Sequence, residues 1–183
     1  MKIAIIGMGR VGATIAYSIV MKGLCDHLML ANRTTSTAEG DAVDLQHGLA
    51  FCQHATHITS GSIADARNAD IVVLTTSVPT TKVMTSRMQL GIANVALFKK
   101  LIPVISRNNP HAILLVVSNP VDALTRLTTE LSGFPSSQVI GIGPLIDSAR
   151  FRVMLSQMEK IHPQNIVCPE CGDSTKTLAL TII

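Results

Sequence analysis

Lys2-Ile3-Ala4-Ile5-Ile6-Gly7-Met8-Gly9-Arg10-Val11-Gly12-Ala13-Thr14-Ile15-Ala16 decides the architecture of this chain. An apolar strand runs into a glycine turn, and the turn runs into a helix-forming segment. Each glycine has a separate task. Gly7 makes the tight turn, Gly9 lets a ligand approach bare backbone, and Gly12 lets the helix lie close on the strand. A phosphate placed there would meet the unpaired N–H groups and the positive dipole end of the helix. The glycine spacing alone is weak evidence, but the strand before it and the helix after it supply the context the motif requires. Gly7, Met8, Gly9, Arg10, Val11 and Gly12 are therefore expected to seat a pyrophosphate.

Outward from this motif, apolar runs alternate with segments of helical period. The pattern predicts strands over 2–6, 27–32, 56–60, 70–75, 112–118 and 138–142, and helices over 10–22, 37–51, 86–107, 121–132 and 146–160. Strand-helix alternation on this scale indicates an α/β fold with a doubly wound parallel sheet. The stretch 77–85, Ser-Val-Pro-Thr-Thr-Lys-Val-Met-Thr, lacks periodicity and follows a strand end, where binding loops leave such sheets.

Composition narrows the function classes. The 183 residues are 47% apolar with one Tyr, four Phe and no Trp, so the core must be aliphatic, as suits a sheet covered on both faces. The net charge of +3 comes without a Lys/Arg block long enough for a nucleic-acid track. The first apolar run is too short for a signal peptide and is broken by Arg10. No run reaches the roughly 20 uncharged apolar residues that span a bilayer, so no membrane partner is expected. Cys25, Cys52, Cys168 and Cys171 are too few and scattered for a disulfide framework, which makes a soluble cytoplasmic protein the default. Cys168-Pro169-Glu170-Cys171 offers two thiolates where structural zinc wants four ligands, so no metal is expected.

Six stretches then fall in an ordered set: Gly7-Met8-Gly9-Arg10-Val11-Gly12, Asp44-Leu45-Gln46-His47-Gly48, Ser86-Arg87, Val117-Ser118-Asn119-Pro120-Val121-Asp122, Gly133-Phe134-Pro135 and Asp147-Ser148-Ala149-Arg150-Phe151. In order and spacing the chain resembles the lactate/malate dehydrogenase superfamily, which includes the L-2-hydroxyisocaproate enzymes, from residue 1 to about 174. The resemblance implies a Rossmann sheet, a nicotinamide coenzyme, and hydride transfer between NAD(P) and a 2-hydroxy or 2-oxo acid. It implies that Arg150 clamps the substrate carboxylate through a bidentate pair. Arg87 would close over the site and polarise the carbonyl, and Asn119 would orient substrate. Asn94, Val117 and Asn119 would touch the coenzyme, and Asp147 would hold the catalytic imidazole in its tautomer. Plainer readings stand beside these: an arginine on a polar loop is usually a solvated charge, and Asp147 could cap the helix at 146–160. His47 reads as structural.

Three positions depart from the family pattern. The first is Pro169-Glu170-Cys171-Gly172-Asp173, which puts Cys171 where the family has its catalytic His. A thiol has a pKa near 8.5 and a neighbouring carboxylate raises it, so losing the positioned acid would cost roughly 10²–10⁴-fold in rate. The second is Asn32, standing where NAD-preferring members place an Asp on the adenosine ribose, with Arg33-Thr34-Thr35-Ser36 after it. Losing that carboxylate removes repulsion toward a 2′-phosphate, and Arg33 could bind one, which modestly favours NADP over NAD. The competing reading is plain helix entry with Thr35 or Ser36 as cap. The third is Thr81, beside Lys82, at the position that separates lactate from malate enzymes. A short neutral side chain cannot pair a second carboxylate.

The expected organisation is an NAD(P)-binding Rossmann domain over 1–143, then 144–183 as the truncated beginning of a substrate domain. The apolar tail over 176–183 is expected to face water or a partner, and the family resemblance implies a homo-oligomer paired through helices such as that at 37–51. The alternative to the oxidoreductase is a non-catalytic dinucleotide-binding fragment.

Overall fold

The computed structural model describes residues 1–79, 86–167 and 181–182. The chain divides into two compact units, Met1–Ile140 and Gly141–Ile183. The first is built on strands β1 (Lys2–Ile6), β2 (His27–Ala31), β3 (His57–Gly61), β4 (Ile71–Leu74), β5 (Ile113–Val116) and β6 (Val139–Gly141), in the spatial order β3-β2-β1-β4-β5-β6. The pairs β1–β2, β1–β4, β2–β3 and β4–β5 are parallel. Chain order reverses between β1 and β4, and in open α/β sheets a ligand crevice forms at such a reversal, outside the carboxyl ends of the strands.

Period-two patterning explains why both faces are covered. Ala4 and Ile6 of β1 join Val72, Leu74, Leu114 and Val116 in one cluster, packed with Phe98, Ile102 and Ile105 of α3 (Arg87–Asn108) and Leu124 of α4 (Val121–Ser132). Ile3 and Ile5 turn the other way. They pack with Leu28, Leu30 and Ile58 against Ala16, Ile19 and Val20 of α1 (Arg10–Lys22) and Ala38 and Ala42 of α2 (Thr35–Gly48). Small residues on α2 let it lie close on the sheet. By length and composition the Met88–Asn108 stretch of α3 could cross a membrane, with 21 residues at a mean hydropathy of 1.4. Phe98, Ile102 and Ile105 are nevertheless buried in the core while Lys99 and Lys100 face outward, the pattern of an amphipathic core helix.

Element ends differ from the sequence reading for local reasons. Helix α2 begins at Thr35 and ends at Gly48, and 49–51 form a separate 3-10 turn. The residue flanking its start is Thr34, whose side chain makes no capping bond, so neither Thr35 nor Ser36 caps it. Strand β5 stops at Val116 because the N–H groups of Val117 and Ser118 both turn to the Leu74 carbonyl, at 3.0 and 3.1 Å. Beyond β3, Ser62 and Asp65 form a capping box in which the Asp65 carboxylate accepts from the Ser62 N–H at 2.9 Å and from its hydroxyl at 2.5 Å. The Ser62 hydroxyl and N–H, in that order, hold the Asp65 carboxyl below the ordinary carboxylate value. A depressed native pKa contributes stability above the ordinary value and loses it as pH falls through the lower one. Ser62→Ala should therefore move the Asp65 titration upward, a shift read directly by NMR.

The second unit contains α5 (Gly143–Glu159) and the antiparallel pair β7 (Ile166–Val167) and β8 (Thr181–Ile182). Helix α5 starts three residues before the predicted 146, because Pro144 in the first turn is pre-organised for a helix start. Asp147 therefore lies inside the helix, and the flanking residue is Ile142, which corrects the capping alternative. Near the end of the chain, Thr181 and Ile182 register with Val167 and Ile166.

Candidate functional site

A cleft of about 770 Å³ opens where the sheet order reverses. Gly7, Met8, Gly9, Arg10 and Val11 form part of its wall, with Asn32, Arg33 and Thr34 from the end of β2 and residues 75–79 from the end of β4. Leu97 and Leu101 of α3 and Ile63 supply apolar surface. Gly12, Asn94, Val117 and Asn119 are not part of that wall.

The three glycines are held to different standards. Gly7 has φ +109°, and a Cβ there would lie 2.6 Å from the Thr76 Cα. A Cβ on Gly12 would lie 2.0 Å from the Gly7 carbonyl oxygen. Both glycines are thus demanded by the chain itself. Gly9 is different: its φ of −99° suits any residue, and a Cβ would meet nothing within 4 Å. What it leaves open is room beside the cleft. No side chain caps α1 at Gly9 and its first turn carries no acid, so the helix presents its positive end there. These features fit a diphosphate-bridged dinucleotide.

The β4 side of the turn is pinned by Thr75, whose Oγ1 lies 2.7 Å from the Gly7 carbonyl and 3.1 Å from that of Ile6. Sequence reading passed over Thr75; the rule that ligands gather at the carboxyl ends of strands flanking the reversal was the available signal. At the β2 end, Asn32 donates to the Thr34 carbonyl at 3.3 Å, and Arg33 and Thr34 are exposed. Among the described residues that line the cleft none carries a carboxylate, while Arg10 and Arg33 both carry guanidinium groups.

The other predicted site residues are placed as follows. Asn94 is 1% exposed and spends its side chain on the loops after β4 and β5. Asn119 is exposed just beyond β5, Ser118 is buried, and Arg87 opens α3 behind its Ser86 cap. In the second unit, Asp147 and Arg150 pair along α5 at 3.0 Å, both about 70% exposed (72% and 73%). Thr81 and Cys171 lie outside the described residues, as does Cys168.

A parallel sheet whose order reverses beside an open glycine turn defines a dinucleotide-binding protein. The comparisons with known proteins carry this further. Residues 1–141 match the family described as lactate/malate dehydrogenase, NAD binding domain, and the chain belongs to that family. It is 42% identical over 176 residues to an L-lactate dehydrogenase of Clostridium botulinum (strain 657 / Type Ba4), covering 94% of this chain and 55% of that protein. It is equally similar, at 42%, to L-lactate dehydrogenase 1 of Clostridium acetobutylicum, covering 94% of this chain and 56% of the relative. Among solved structures, the ligand-bound minor L-lactate dehydrogenase from Enterococcus mundtii superposes with a TM-score of 0.85 at 32% identity, over 94% of this chain and 56% of its own. The chain thus spans about half the length of the relatives it matches.

Proposed function

We propose that this chain is the coenzyme-binding portion of a lactate/malate dehydrogenase-type oxidoreductase that takes a nicotinamide dinucleotide and a small 2-oxo or 2-hydroxy acid. The observation that carries the reading is Gly9: among the described residues no atom requires a glycine there, yet its bare backbone lines the cleft at the uncapped start of α1. Gly7 to Val11 would hold the pyrophosphate, and Asn32 with Arg33 would hold the adenosine ribose. Within this reading NADP is favoured over NAD, because a cleft with two arginines and no carboxylate suits a 2′-phosphate.

When bound, the dinucleotide supplies or accepts hydride. Arg150 would clamp the carboxylate of the acid, Asn119 would orient it, and Arg87 would offset negative charge developing on the carbonyl oxygen. Asp147 would face the group at position 171. With Cys171 as the proton donor, a thiol stands where imidazole would match neutral pH, and turnover falls by roughly 10²–10⁴-fold. Thr81 leaves no anchor for a second carboxylate, which directs the choice away from dicarboxylic acids. We place the protein in the cytoplasm, as a homo-oligomer paired through α2, with residues 144–183 beginning the substrate domain.

A second reading, dinucleotide binding without catalysis, is favoured by Cys171, which stands where the family has its imidazole. Titration with NADH and NADPH separates the outcomes. Both should bind, NADPH more tightly, and heatless titrations with both at millimolar concentration would remove the reading. A panel of 2-oxo acids with the bound coenzyme then divides enzyme from binding protein.

A further inference from the structure

Asn94 of α3 is a buried polar side chain whose two ends serve two different loops. Its Oδ1 accepts the Val78 N–H at 2.8 Å and lies 3.2 Å from the Ser77 hydroxyl, which donates to it. Its Nδ2 donates to the Asn119 carbonyl at 2.7 Å. The Val78 N–H can only donate and the Asn119 carbonyl can only accept, so the partners fix the orientation of the amide. Val78 follows β4 and Asn119 follows β5, so one residue of α3 ties together the loops that leave two adjacent parallel strands. The hydroxyl of Ser118 reinforces the tie, lying 2.6 Å from the Thr76 carbonyl and 3.1 Å from that of Leu74.

Val78 lines the cleft on the far side of the glycine turn from Asn32 and Arg33. If the adenosine ribose sits at the end of β2, the loops after β4 and β5 face the nicotinamide half. We infer that Asn94 is a positioning residue that sets the nicotinamide end of the cleft through Val78 and Asn119, without itself touching coenzyme. The inference rests on the dinucleotide reading above. It replaces a direct contact, which the side chain's 1% exposure does not offer, with a strut.

The test uses a matched pair of probes, NAD⁺ and ADP-ribose, which differ by the nicotinamide. Each is titrated calorimetrically against wild type, Asn94→Leu and Asn94→Asp, at about pH 8 and about pH 5.5. Asn94→Leu should weaken NAD⁺ by about ten-fold at both pH values and leave ADP-ribose within about two-fold. Asn94→Asp supplies a rescue within one protein. Ionised, its carboxylate accepts from Val78 but cannot donate to Asn119. Protonated, it restores both bonds, and burial raises its pKa toward the acid condition. The hydrogen-bond partners of the Asn94 side chain are backbone groups and a hydroxyl, none of which titrates in that range. NAD⁺ affinity of Asn94→Asp should therefore be weak at the higher pH and return toward wild type at the lower, with ADP-ribose flat. The Asp variant carries the test even where the Leu variant fails to fold. Equal loss for both probes, unchanged NAD⁺ affinity, or a pH-independent Asp variant would overturn the strut while leaving the cleft reading intact. A wild-type chain that binds neither probe would remove both.

Discussion

Gly12→Val should lower unfolding free energy by about 3 kcal/mol or more, whereas Gly9→Val should cost about 1 kcal/mol and weaken dinucleotide binding by about 100-fold. The two glycines lie three residues apart, yet the atoms around them differ in kind. A Cβ on Gly12 would sit 2.0 Å from the Gly7 carbonyl oxygen, a backbone atom that cannot swing aside, and 3.0 Å from Thr75 Oγ1. Helix α1 would have to lift from β1, taking Ala16, Ile19 and Val20 out of their packing against Ile3 and Ile5. Such overpacking costs on the order of 1–3 kcal/mol in a tight core, more when backbone must move. At Gly9 an added Cβ meets no described atom within 4 Å and the backbone is already extended, so the fold loses little beyond a poorer helix start. The side chain then stands where a phosphate would lie against the helix end. Urea midpoints and calorimetric titrations with NADPH check both halves. If Gly9→Val bound as wild type, or if it unfolded as readily as Gly12→Val, the division of labour between the glycines would be wrong.

What was legible in the sequence was whatever depends on near neighbours. The alternation of Ile3 and Ile5 with Ala4 and Ile6 announced a strand buried on both faces, and each residue went to the cluster its parity required. The glycine turn was legible because strand, turn and helix are contiguous. Ends were less so: the strand over 112–118 stops at Val116 because Ser118 and Val117 compete for one carbonyl 43 or more residues away, the Leu74 oxygen. Helix α5 was read late because Pro144 looks like a breaker until it is placed in a first turn. The strand β8 depends on its pairing with β7, a long-range choice that leaves no mark in local composition. In the site, Asn32 and Arg33 were found through the family resemblance, at the end of the second predicted strand. The tie made by Asn94 was not, because its partners, Val78 and Asn119, come together through tertiary structure. The family resemblance assigned Asn94 to the coenzyme and carried no sign of its hold on the two loops.

Arg33→Ala should weaken NADPH by about 10- to 100-fold and leave NADH within about two-fold, because charge-assisted hydrogen bonds to a phosphate contribute about 1.5–3 kcal/mol. Arg33 is exposed at the end of β2, in the wall of the cleft. Its side chain would meet a 2′-phosphate and little of an unmodified ribose. Asn32→Asp tests the same point from the other side. A carboxylate there would repel a 2′-phosphate and accept hydrogen bonds from ribose hydroxyls, so NADPH should weaken while NADH tightens. Placing both changes in one chain should turn the preference over to NADH. Salt discriminates this account from a packing effect: at 1 M ionic strength, where the screening length falls to about 3 Å, both coenzymes should weaken through their shared pyrophosphate, and NADPH should weaken more than NADH. A wild-type chain that prefers NADH, together with an Arg33→Ala variant that treats both coenzymes alike, would assign Asn32 and Arg33 to helix entry and leave the adenosine end without a phosphate site.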